Sequence, residues 1–161
     1  MRCFLPDIRL ASELPEQEKL EDKLGGVPWG LPDDLWPVEA DEGQLGQVVH
    51  NILLNAVQAM PDGGGISLRG VNLPPGTDPS LPPADAWVRV SLSDNGPGIP
   101  TELLSRIFDP FFTTKQKGTG LGLAISYTIM EKHKGFLRVE STPGTGTTFH
   151  LILPAAPGSP G

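Results

Sequence analysis

The sequence predicts a two-layer α/β sandwich, with a mixed, mostly antiparallel sheet and helices on one face. Three observations lead there. Two stretches carry apolar residues at helical spacing, four carry apolar residues at strand spacing, and tight Gly/Pro turns join neighbouring strands in a way that favours antiparallel pairing. At 161 residues the chain is long enough for one domain with a single core.

Residues 1–40 are expected to add an N-terminal strand and a variable insertion to that domain. The insertion covers 16–34, and its segment EQEKLEDKLGG (Glu16 to Gly26) reads as charged and solvated, without chemistry of its own. Asp41 followed by Gln44 resembles a capping box. Leu45, Val48, Val49, Ile52, Ala56 and Ala59 then recur at helical spacing, which predicts a helix from about Glu42 to Met60, stopped by Pro61. After the PDGGG turn, GISLRGV (Gly65 to Val71) and AWVRVSLSD (Ala86 to Asp94) read as strands joined by a long proline-rich loop. In the second, Val88, Val90 and Leu92 alternate with polar neighbours. A short helix is expected over Thr101–Ile107. A second long helix is expected over Leu121–Lys134, closed by Gly135 as a left-handed residue. GFLRVEST (Gly135 to Thr142) and GTTFHLILP (Gly146 to Pro154) read as closing strands around TPGTG, and 155–161 as a disordered tail.

Charge and composition narrow the chemistry. A net charge of −7 argues against nucleic acid, although a small anion would need only a local positive site. The single cysteine, Cys3, excludes an internal disulfide and a thiolate cluster for zinc. No apolar run approaches the roughly 20 residues that span a bilayer, and MRCFLPDIRL lacks the apolar core of a secretory signal. The expectation is a cytoplasmic domain that makes no membrane contact itself.

Three segments could carry function. On the first long helix Gln44, Gln47, Asn51, Asn55 and Gln58 share one stripe. Asparagine is a mediocre helix former, so two of them four apart read either as a solvent-facing stripe or as amide oxygens for a hard cation such as Mg²⁺. DNGPGIP (Asp94 to Pro100) sets a carboxylate at the end of an apolar strand ahead of glycines. That suits either a plain turn or recognition of a planar group with an N–H donor, such as the amino group of adenine. KGTGLGLAIS (Lys117 to Ser126) brings glycines to a helix start, where free N–H groups hold anions. It is neither a P-loop, because the lysine and hydroxyl are absent, nor G-x-G-x-x-G, because Leu123 occupies the third glycine position.

Together and in order, these segments resemble the catalytic, ATP-binding domain of sensor histidine kinases, in the GHKL ATPase group. HNILLNAVQAM looks like the N box, DNGPGIP the G1 box, FDPFFTTK the F box, GTGLGLAIS the G2 box and GTGTTF the G3 box. The resemblance spans about Asp41 to Pro154, and NAVQAM and FDPFFTTK look most like the nitrogen-regulation type. It implies an ATP-binding kinase core over 41–154, with a mobile lid at about 100–120. Phe108, Phe111 and Phe112 would anchor the lid or meet a helical neighbour, Phe108 being the candidate for core packing.

Residue by residue, the resemblance implies that Asn55 ligates Mg²⁺ and that Asn51 assists at the phosphates or on the attacking-group side. Asp94 would accept the adenine amino N–H, and Gly96 and Gly98 would let the base approach. Gly118, Thr119, Gly120, Leu121 and Gly122 would present backbone to the phosphates, with Lys115 as a lid contact. Thr147 or Thr148 would close the adenine pocket. The implied activity is transfer of the γ-phosphoryl group of ATP to a histidine on the dimerisation domain of the same kinase, with a response regulator downstream. The chain would then be a cytoplasmic piece of a sensor that is itself soluble or membrane-bound. Two features depart from the pattern. Gln58 stands where many members carry lysine, and no H-E-hydrophobic-x-x-P segment is present. His50, His133 and His150 therefore read as structural or surface residues. Serine kinases of the anti-sigma-factor type share the fold, and a nucleotide-binding pseudokinase or interaction module would share the boxes; FDPFFTTK favours the histidine kinase.

Overall fold

The computed structural model describes residues 2–3, 34–112 and 121–157. Most of the 16–34 insertion lies outside that range. So do residues 113–120 of the expected lid, with Lys115, Gly118, Thr119 and Gly120, and the last four residues of the expected tail.

The elements in chain order are β1 (Arg2–Cys3), β2 (Val38–Glu39), α1 (Glu42–Ala59), β3 (Ile66–Leu73), β4 (Trp87–Asp94), a 3-10 turn (Thr101–Leu103), α2 (Gly122–Lys132), β5 (Phe136–Thr142) and β6 (Gly146–Pro154). Strands β3-β4-β6-β5 form one sheet and β1-β2 a small ribbon, and each pairing among the described strands is antiparallel. An isolated bridge between Val38 and Ala155 ties the ribbon to the end of β6.

Alternation along the strands decides which face the helices cover. Ile66 and Leu68 of β3, Val88, Val90 and Leu92 of β4, Leu137 of β5, and Phe149, Leu151 and Leu153 of β6 point into one core. Helix α1 meets them with Leu45, Val48, Val49, Ile52, Leu53 and Ala56, while α2 contributes Ile129 and Met130. Each such large side chain gains about 1.5–3 kcal/mol over exposure, which fixes both helices to that face. At the start of α1, the Asp41 side chain accepts the Gln44 N–H at 3.0 Å. The helices are also joined at their ends. His133, which caps α2, accepts the Asp41 N–H on Nε2 at 3.1 Å, and its Nδ1 lies 2.7 Å from the Ile129 carbonyl. That geometry places the ring proton on Nδ1 and gives His133 a structural role.

Three expectations are corrected. The short helix expected over Thr101–Ile107 is confined to a 3-10 turn at Thr101–Leu103, continued by i→i−3 turns, with Leu104 N–H bonding Thr101 O and Arg106 N–H bonding Leu103 O. At the end of α2 the left-handed residue is Lys134 (φ 58), one position earlier than expected. Gly135 is required for another reason, since a Cβ there would run into the Ile152 carbonyl oxygen. The chain also stays tied down past Pro154. Ala155 N–H bonds Ala86 O at 2.9 Å, Ala156 N–H bonds Pro37 O at 2.7 Å, and Ala156 is buried.

Candidate functional site

The site forms along the polar flank of the second half of α1, between the G1-like loop at the C-terminal end of that helix and the start of α2, which meets it at Asn51. Asp94 is the last residue of β4, and β4 alternation turns it to the helix-covered side, in line with Val88, Val90 and Leu92. It is half-buried, and its Oδ1 accepts the Gly96 N–H at 2.9 Å. Burial pushes the Asp94 carboxyl above its usual range, while backbone N–H donors from Gly96 and Thr147 oppose that rise. A carboxylate has about four lone-pair sites, so two backbone donors leave acceptor capacity for a ligand N–H.

Backbone contacts hold the loop around Asp94. Asn95 Oδ1 accepts the Gly65 N–H at 2.8 Å and Asn95 N–H donates to Gly65 O at 3.2 Å. The Pro97 carbonyl accepts the Gly144 N–H at 2.7 Å, and Ile99 N–H donates to Ser141 Oγ at 2.7 Å. These bonds lock the loop to the β5–β6 turn. Gly98 has φ 78, and a Cβ there would run into the Thr142 carbonyl. The space freed by Gly98 is thus taken by the β5–β6 turn. Gly96 faces Met60 and Asp94 Oδ1, and a Cβ would stand 3.1 Å from each.

Alternation also separates the two threonines. Thr147 is buried beside Asp94, supplying a backbone N–H to its carboxylate and placing Oγ1 2.9 Å from Ser141 Oγ. Thr148 points to the opposite face of the sheet, where it meets Ser93 Oγ at 2.7 Å. Of the pair, only Thr147 adjoins the candidate pocket, which corrects the expectation for Thr148. The outer face also carries His150, hydrogen-bonded to Ser91 at 2.7 Å and 3.3 Å from Glu140.

At the other end, Asn51 donates through Nδ2 to the Gly122 carbonyl at 3.1 Å and to Ser126 Oγ at 3.2 Å. The N-box-like helix is thereby fastened to the first turn of α2, immediately after the glycine run. Asn55 lies one turn further along the same face, half-buried, and Leu121 and Gly122 open α2. From Asn51 to Met60, which abuts Gly96, the helix rises about 13 Å at 1.5 Å per residue. That span is on the scale of an extended nucleoside triphosphate. The sequence singled out these residues, but Ser126, which sits at the end of GTGLGLAIS, passed unremarked. Its only signal was a hydroxyl on the helix face turned inward by Leu123, Ile129 and Met130.

Phe111 is 73% exposed, with φ 66. Phe108 and Phe112 pack against the core, the first stacked on Tyr127 at 5.3 Å and the second under Arg106 at 4.7 Å. Two of the three phenylalanines thus anchor the segment and one projects from it.

Fold and site together define a GHKL-type ATPase domain. The chain belongs to the family described as histidine kinase-, DNA gyrase B- and HSP90-like ATPase, whose model matches residues 40–157. It is 48% identical over 128 residues to sensor kinase CckA of Brucella abortus (strain 2308), a match covering 75% of this chain and 13% of that kinase. The catalytic domain of histidine kinase ThkA superposes with a TM-score of 0.75 at 28% identity, covering 99% of this chain and 98% of that one. Full-length ShkA in complex with AMPPNP superposes with a TM-score of 0.71 at 29% identity, over 90% of this chain and 28% of ShkA. The chain therefore spans a small part of CckA and of ShkA. Among the described residues, no helix is long and apolar enough to cross a membrane.

Proposed function

We propose that this chain is the ATP-binding catalytic domain of a two-component sensor histidine kinase, which passes the γ-phosphoryl group of ATP to a histidine on a separate helical domain. The observation that carries the reading is the pairing of an inward-facing, half-buried carboxylate at Asp94, beside the Met60 end of α1, with the Asn51 and Asn55 amides further back along the same helix flank. Asp94 accepts the adenine amino N–H, with Thr147 and Gly96 shaping the pocket around it. Asn51, Asn55 and the N-terminal amides of α2 face the phosphates; the resemblance adds Lys115 and residues 118–120, which lie outside the described residues, to the phosphate contacts.

The donor set suits Mg²⁺. No group of three or more His, Cys, Asp or Glu side chains is placed to hold a metal among the described residues, so a cation here takes its ligands from amide oxygens, water and nucleotide phosphates. Asn55 is the residue to hold it. Mg²⁺, when bound, neutralises charge on the phosphates. In transfer, an N–P bond forms to the acceptor imidazole as the β–γ bridging P–O bond breaks and ADP leaves with the electron pair. The protein's part is to position the nucleotide, and no covalent intermediate with this domain is needed. ShkA, part of which superposes on this chain, was solved in complex with AMPPNP, and that supports the reading of a nucleotide-binding domain. The partner domain and a downstream response regulator follow from the same reading, and Phe111 is the exposed aromatic available to the helical partner.

The test is titration with AMPPNP and Mg²⁺, followed by transfer in the full kinase. Asn55→Ala is expected to abolish metal-dependent binding or transfer while the domain stays folded. Unchanged transfer would sink the metal assignment.

A further inference from the structure

We infer that Ser126 is a positioning residue for Asn51, setting which end of the Asn51 amide is offered to the phosphate end of the site. This rests on the reading of Asn51 as part of a nucleotide site.

Ser126 and Thr147 are the buried polar residues of the described chain, and Ser126 is 0% exposed. A hydroxyl sealed in a core needs partners. The Ser126 O–H donates to the Gly122 carbonyl one turn back at 2.9 Å, and its Oγ accepts from Asn51 Nδ2 at 3.2 Å. Asn51 Nδ2 also donates to Gly122 O at 3.1 Å. The two ends of an asparagine amide are told apart only by their hydrogen bonds. Here the bonds decide. Gly122 O can only accept, and Ser126, its single proton committed to Gly122 O, can only accept from Asn51. Both partners demand a donor, so the NH₂ end of Asn51 turns to α2 and the carbonyl oxygen is left for the site. The reversed amide would set lone pair against lone pair at Gly122 O, and could be served by Ser126 only if its hydroxyl gave up the bond to Gly122 O.

Shape does not explain this orientation, because the oxygen and NH₂ ends of an amide are nearly the same size. Alanine at 126 removes the Oγ acceptor and leaves one bond to Gly122 O, about which the amide can turn. The consequence is chemical, because only the oxygen end can serve a hard cation or accept from a water bound to one.

The first readout needs no nucleotide. In ¹⁵N spectra of the ligand-free protein, the Asn51 side-chain NH₂ protons are expected to exchange slowly and to exchange faster in Ser126→Ala. Equal rates would overturn the inference. The second is calorimetry with AMPPNP, with and without Mg²⁺, on wild type, Ser126→Ala, Ser126→Thr, Asn51→Ala and the Asn51→Ala/Ser126→Ala double variant, each checked for folding by thermal unfolding. Loss of one positioning hydrogen bond should weaken binding about 3- to 10-fold with Mg²⁺ and leave it within about twofold in EDTA. Ser126→Thr, which keeps the hydroxyl, should restore the metal-dependent part, and the double variant should lose no more than Asn51→Ala alone. A Ser126→Ala loss that is equal with and without metal, or that adds in full to the Asn51→Ala loss, shows a merely structural serine and overturns the inference. A wild type whose affinity ignores Mg²⁺ overturns the nucleotide-site reading, and this inference with it.

Discussion

Asp94→Asn isolates base recognition, because it keeps the shape of the side chain and removes its charge. In the native protein the carboxylate is half-buried and held by the Gly96 and Thr147 N–H groups. A ligand amino group adds a charge-assisted hydrogen bond, worth about 1.5–3 kcal/mol, or about 10- to 150-fold in affinity. Asparagine keeps one acceptor oxygen, which at the Oδ1 position the Gly96 N–H already claims, and presents NH₂ at the other. AMPPNP affinity with Mg²⁺ should fall within that range. A guanine analogue presents a carbonyl in place of the amino group, so it should bind wild type weakly and lose little in the variant. Calorimetric titration of both nucleotides measures the ratio. A loss shared equally by adenine and guanine, or no loss at all, would refute base recognition by Asp94.

Proton linkage checks the same residue independently. Burial raises the Asp94 pKa in the folded state, so the folded chain binds more protons than the unfolded chain between the two pKa values. The stability that protonated Asp94 contributes is full below the unfolded pKa and is lost as pH rises through the folded one. At neutral pH, therefore, Asp94→Asn should melt at the same temperature as wild type or higher, with the difference shrinking on acidification. Adenine affinity runs the other way, falling as pH drops through the raised pKa, since the ionised form is the better acceptor.

Other perturbations probe the frame around the site. Gly98→Ala combines a left-handed backbone with a clash against the Thr142 carbonyl; it should cost at least about 2 kcal/mol in chemical denaturation, and near-wild-type stability would contradict the packing described. His133→Ala removes the bonds joining the ends of α1 and α2; a loss of about 1–2 kcal/mol with AMPPNP affinity unchanged is expected, and a selective loss of affinity would place His133 in the site instead. Phe111→Asn should leave domain stability within about 0.5 kcal/mol, as the ring is exposed, yet slow phosphoryl transfer in the full kinase; unaffected transfer would remove Phe111 from the partner surface.

The sequence by itself determined the order and kind of the two long helices and of the four strands of the main sheet, because hydrophobic periodicity is a local property. The 42–59 helix and the 146–154 strand follow from the spacing of Leu45, Val48 and Ile52 and of Phe149, Leu151 and Leu153. It also pointed to Asp94, Asn51 and Asn55, polar residues set where propensity and apolar pattern do not call for them. Tertiary structure decided what depends on neighbours distant in sequence. Strand pairing chose Thr147 over Thr148, because alternation from a shared register puts one beside Asp94 and the other on the far face. Contact with Ile152 explains Gly135, and contact with Thr142 explains Gly98; no local signal distinguishes such glycines from turn residues. The orientation of the Asn51 amide was likewise invisible in HNILLNAVQAM. It is set by a hydroxyl 75 residues away, and only folding brings that acceptor within 3.2 Å.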